Sequence, residues 1–177
     1  MKAFQSLTHQ ALKLQQSSVR KQEYELRADN ELVGTLYWPK AFGSLCVAET
    51  ADGVWTFKQQ GFFNRRMTAR VRGSEQDVFV YTPNWTGING RVAHSDGREF
   101  YLQAANWWGN RFTLVQKPTQ GEDVALLAVQ IHFLFLRRSA DVAIQPQLVQ
   151  MEDASLLAVF SCYLAAMAYA YILAIAA

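Results

Sequence analysis

Arg65-Arg66-Met67-Thr68-Ala69-Arg70-Val71-Arg72 is the densest run of chemically capable side chains in this sequence. On an extended strand, side chains alternate between two faces. Arg66, Arg70 and Arg72 then share one face, and Met67, Ala69 and Val71 the other. That spacing would spread three guanidiniums along roughly 20 Å of surface. A guanidinium donates two parallel hydrogen bonds to a phosphate, so the row suits anionic phospholipid headgroups. Phe62 and Phe63, at the adjacent turn, are candidates to enter the lipid interface beside Arg66, Arg70 and Arg72. The same pattern also fits an ordinary solvated face answered by Glu75 and Asp77.

Other reactive side chains are scattered. His9, His94 and His132 stand singly, and Cys46 and Cys162 lack metal or redox spacing, as expected of reduced, packed thiols. Glu152-Asp153 precedes a long apolar run and suits helix capping; two adjacent carboxylates fall short of the oxygens calcium takes. Asn84-Trp85-Thr86 fits a glycosylation sequon, which the N-terminus, lacking an apolar export signal, argues against. The sequence contains no P-loop, Gly-x-Ser-x-Gly, Cys-x-x-Cys or His-Glu-x-x-His. The expectation is a non-enzyme with no catalytic residues, metal or cofactor. On that reading, no pocket gathers His94 or His132 with carboxylates. Trp38, Trp85 and the pair Trp107-Trp108 are candidates for packing or for a membrane- or carbohydrate-facing rim.

These residues must be held by β structure. From Tyr24 to about Gln147, short alternating runs are separated by turn chemistry such as Ala28-Asp29-Asn30, Asp52-Gly53, Pro83-Asn84, Asp96-Gly97 and Gly109-Asn110. The spacing predicts ten to twelve strands, and connections this short require hairpins and an antiparallel sheet. A segment repeats at an offset of 44 to 45 residues: Asp52-Gly53, Phe62-Phe63, Arg66-Met67-Thr68, then Asp96-Gly97, Trp107-Trp108, Arg111-Phe112-Thr113. That is a duplicated hairpin; the chain is too short for a propeller of such blades. Inward positions should include Trp55, Phe57, Met67, Val71, Phe100, Leu102, Phe112 and Leu114. Residues 1–22 read as a helical extension, because Phe4, Leu7, Ala11 and Leu14 recur at helical steps. With 177 residues this is one domain, and a formal net charge of +2 is too small and dispersed for nucleic acid binding.

The last 24 residues, Ala154 to Ala177, contain no charged side chain. A helix apolar on every face must be buried, in protein or in lipid. Eight strands fill a barrel with their own side chains, whereas ten to twelve leave a hole, and this helix, over 154–176, would fill it. The rival is a C-terminal membrane anchor. Against it, nine of the 24 residues are Ala, a weak driver of insertion, and the flank is acidic rather than basic.

The pattern over residues 24 to 177 resembles the tubby-like barrels, and within them the phospholipid scramblases and LURP-one-related proteins. The local likeness lies in Leu156-Leu157-Ala158-Val159-Phe160-Ser161-Cys162-Tyr163-Leu164, similar to the apolar helix near the end of scramblases, and in the layout of Leu32-Val33-Gly34-Thr35-Leu36. The resemblance implies about twelve strands enclosing a hydrophobic C-terminal helix, in a divergent, bacterial member. Ala165-Ala166 stand where scramblases carry an acidic residue, and the proline-rich arm and cysteine cluster are absent, so calcium and lipidation roles do not carry over. The expected fold is therefore a mainly β, closed antiparallel barrel of about twelve strands (23–177) around a central helix. The expected function is a non-catalytic, cytoplasmic module associating with anionic phospholipid at the membrane surface. The alternatives are a structural or protein-interaction barrel, or a C-terminally anchored β domain.

Overall fold

In the computed structural model, residues 1–7, 11–17, 22–40, 43–61, 65–106, 108–118, 121–134 and 137–176 are described. Twelve strands form one closed barrel: β1 (Ala11–Gln16), β2 (Glu23–Ala28), β3 (Glu31–Tyr37), β4 (Leu45–Thr50), β5 (Gly53–Gln60), β6 (Arg66–Val71), β7 (Phe79–Pro83), β8 (Gly90–His94), β9 (Glu99–Ala104), β10 (Arg111–Gln116), β11 (Val124–Leu134) and β12 (Arg137–Ile144). Each strand pairs antiparallel with its sequence neighbours, and β1 closes the ring on β12, Leu12 opposite Val142. A short helix, α1 (Pro146–Val149), leads to α2 (Ala154–Ala176).

Alternation builds the wall. In β5, Trp55 and Phe57 are buried while Thr56 and Lys58 point outward; in β2, Tyr24, Leu26 and Ala28 are buried between Glu23, Glu25 and Arg27. The expected inward set is buried except Val71, which is 48% exposed. Val71 is the last residue of its strand, beside the Gly73 turn, where the wall has ended.

The N-terminal helix is not formed. Phe4–Ser6 is a single 3-10 turn, and Ala11–Gln16 is a barrel strand. Leu12 and Leu14, two apart, point inward between exposed Ala11, Lys13 and Gln15. Leu14 fits both the helical steps from Phe4, Leu7 and Ala11 and the strand step from Leu12, and the unpaired edges of β2 and β12 decide between them. Without β1 both edges would be open. Phe4 and Leu7 are buried at one end of the barrel, where Lys2 donates its amide to Leu32 and pairs with Glu31.

Helix α2 runs through the middle. Residues 154–165 are buried on every side, and exposure then rises until Leu173, Ala174 and Ile175 are exposed. Dimensions explain the gradient. A six-residue strand tilted near 40° gives roughly 15 Å of barrel height, while 23 helical residues span about 34 Å. Phe57 and Phe79 meet Phe160 at ring-centroid distances of 5.0 and 6.3 Å, and Trp38 meets Tyr163 at 6.0 Å. The buried Ser161 hydroxyl donates to the Leu157 carbonyl at 2.7 Å, which satisfies it within its own helix.

Candidate functional site

Strand β6 holds the arginine row outward, as its alternation requires, but each guanidinium faces a carboxylate. Arg70 donates to Asp77 at 2.6 Å and to Glu75 at 2.9 Å; Arg66 lies 3.5 Å from Asp77 and Arg72 4.0 Å from Glu49. The Asp77 hydrogen bond raises the Arg70 guanidinium further above its ordinary value. Arg72 falls just beyond the strand, in the connection to β7. Three carboxylates therefore answer three guanidiniums, which leaves little charge for a headgroup at this face. Phe62 and Phe63 lie outside the described residues, as do His9 and Trp107.

Histidine placement overturns one expectation, since both described histidines meet carboxylates. His94 closes β8, with Nδ1 2.6 Å from Asp96 and Nε2 3.1 Å from Asp153. Arg98 bridges the same two acids at 2.6 and 2.9 Å, and Phe79 covers the ring at 4.7 Å. Asp96 is held below the usual carboxylate range, first by the Arg98 backbone amide and then by His94 and the Arg98 side chain. Asp153 thus does not cap α2 with its side chain. Its backbone carbonyl takes the Leu157 amide at 2.8 Å, while the carboxylate turns to His94 and Arg98. The cluster latches the start of the helix to the β8–β9 turn, joining residues far apart in sequence.

His132, on β11, sits with Asp141 at 2.9 Å in a cleft of about 620 Å³ lined also by Lys13, Gln15, Asn110, Ser139 and Tyr169. Ser139 is the register partner of His132, but the imidazole engages Asp141, and no side-chain hydrogen bond joins it to the Ser139 hydroxyl among the described residues. A nucleophilic hydroxyl would need its base within about 2.6–3.2 Å. Among the described residues, no group of three or more His, Cys, Asp or Glu is arranged to hold a metal ion.

Charge is segregated along the barrel axis. At the end where α2 emerges, the described residues of the connections 17–22, 38–44, 61–65, 84–89 and 105–110 include Lys40 and Arg65 but no Asp or Glu. Lys40, Arg111 and Arg138 are exposed at this end, and the Arg65 guanidinium sits 4.2 Å above the Tyr171 ring. A cleft of about 540 Å³ opens here between Trp38, Tyr24, Met167 and Arg138. At the opposite end the connections carry Asp29, Asp52, Glu75, Asp77, Asp96, Glu122, Asp123, Glu152 and Asp153, against Arg72, Arg98 and Lys117. Each end complements the helix dipole, but a terminus carries only about half a charge, too little to account for the whole asymmetry. Sequence reasoning missed this ring because its members come from separate turns. The absence of acids from every second connection was the available signal.

Comparison of the chain with protein-family models, with curated proteins and with solved structures finds no match.

Proposed function

We propose that this protein is a non-catalytic barrel module of the tubby-like, scramblase-like type that associates peripherally with anionic phospholipid surfaces from the cytoplasmic side. A closed twelve-strand barrel around an apolar C-terminal helix is the architecture that resemblance implies. The observation that carries the functional reading is the axial charge segregation, with Lys40, Arg65, Arg111 and Arg138 at one end and the acids at the other. Such a field orients the molecule basic end first before an anionic bilayer. Each basic residue near that surface contributes about 1 kcal/mol, and the attraction weakens as salt screens it.

The test is co-sedimentation with neutral phosphatidylcholine vesicles and with vesicles containing phosphatidylserine, at low and moderate salt. Binding is expected to the anionic vesicles alone, falling with salt and largely lost in a Lys40→Glu/Arg65→Glu/Arg138→Glu variant. Arg70→Ala should change it little, since Asp77 and Glu75 already hold that guanidinium, and so should Arg72→Ala, since Arg72 is at the acidic end. No binding to either vesicle would favour the protein-interaction barrel instead.

A further inference from the structure

The end of the barrel that carries the basic ring also carries a cluster of exposed apolar side chains. Trp85 is 96% exposed and Trp108 79%, in the connections after β7 and β9. Leu173 and Ile175, 39% and 63% exposed, are on the last turns of α2, and Leu45 begins β4 at the same end. Large apolar groups left this open at one end of the barrel mark a contact surface.

The Trp loops are braced against the helix. A Cβ on Gly87, whose φ is +74°, would come 2.8 Å from the Tyr171 ring; one on Gly109 would come 2.5 Å from Ile172. In the first loop, Asn84 donates its amide to Asn89 at 2.7 Å and Gly87 donates back to Asn84 at 3.0 Å. In the second, Asn106 donates its side-chain amide to Asn110 at 2.6 Å. The two loops that bear the indoles are therefore seated on the last turns of α2, which lowers the cost of ordering them at a surface.

We infer that this tip is a lipid-interface wedge: Trp85, Trp108, Leu173 and Ile175 enter the headgroup–acyl boundary of an anionic bilayer, mouth first, with Lys40, Arg65, Arg111 and Arg138 at headgroup level. The inference rests on the membrane-surface reading above and names the surface that makes the contact. Basic charge ringing exposed indoles fits this occupant, because indoles favour the interface and cations meet the phosphates. The wedge is shallow. Residues 154–165 are enclosed by the barrel, and the exposed helix end is far shorter than the roughly 30 Å hydrocarbon core. Insertion reaches about 5–10 Å, as for other interfacial elements.

The experiment uses the full chain with phosphatidylcholine–phosphatidylserine vesicles whose acyl chains are brominated near the headgroup or near the bilayer centre. Indole fluorescence should be quenched by the shallow bromines and little by the deep ones. A Trp85→Ser/Trp108→Ser variant should lose that quenching and bind at least about tenfold more weakly, with its dependence on salt unchanged. Its thermal midpoint should match wild type, since both side chains are exposed. If the variant binds anionic vesicles as tightly as wild type, or if deep bromines quench best, the wedge is refuted while the membrane reading stands. If wild type binds no anionic vesicle, both fail. A concentration-dependent dimer that the double substitution abolishes would make this face a self-association interface and also overturn the wedge.

Discussion

Asp96 shows how much one side chain can couple. It accepts the Arg98 amide at 2.9 Å and the Arg98 guanidinium at 2.6 Å, and it lies against His94. These contacts favour its charged form, so folding depresses its pKa from an ordinary value of 3.8. For a depressed carboxylate, the stability contributed is fully present above the unfolded-state value and is lost as pH falls through the lower folded-state value. Asp96→Asn should therefore be less stable than wild type near neutral pH, and the two should converge as pH drops below about 3.8. Urea unfolding at a series of pH values measures this. A gap independent of pH would show that the carboxylate's charge is not what the latch uses.

At the level of elements, the helix and the wall each carry a cysteine that reports their union. Cys46 on β4 and Cys162 on α2 are both buried, and burial pushes the Cys162 thiol up to about 12 and the Cys46 thiol higher still. The thiolate is the reactive form, so neither residue should react with an aromatic disulfide reagent at neutral pH while α2 is seated. Both should react at once in denaturant. A native protein labelled promptly at Cys162 would mean that the helix leaves the barrel readily, as a detachable anchor would.

For the whole molecule, the helix is half of one core. Phe57, Phe79, Phe100 and Phe112 project from the wall, and Phe160 and Tyr163 fill the axis they enclose. Removal of residues 154–177 leaves that apolar lining facing a void wider than a strand-only barrel can close. The truncated chain should be insoluble, or expanded with dye-binding apolar surface and no cooperative thermal transition. A soluble, cooperatively unfolding truncation would show that the barrel stands without its plug.

Alternation in β5, β9 and β10 and the short polar breaks between strands were enough to require an antiparallel sheet, because no connection had room for a crossover. The uncharged stretch from Ala154 required burial, and the strand number required something to bury. Those are local or additive properties, which one sequence displays. Residues 11–16 are different: Ala11 and Leu14 continue the helical steps of Phe4 and Leu7, Leu12 and Leu14 fit strand alternation, and the open edges of β2 and β12 make the segment a strand. The arginine row was legible as an outward face, but its neutralisation by Glu49, Glu75 and Asp77 depends on which turn meets which strand end. Arg98 and Asp153 are 55 residues apart, and His94 joins them only because the helix start returns to the β8–β9 turn. The basic end with its two indoles is likewise a property of closure, since a ring gathers at one mouth the turns that the chain spaces tens of residues apart.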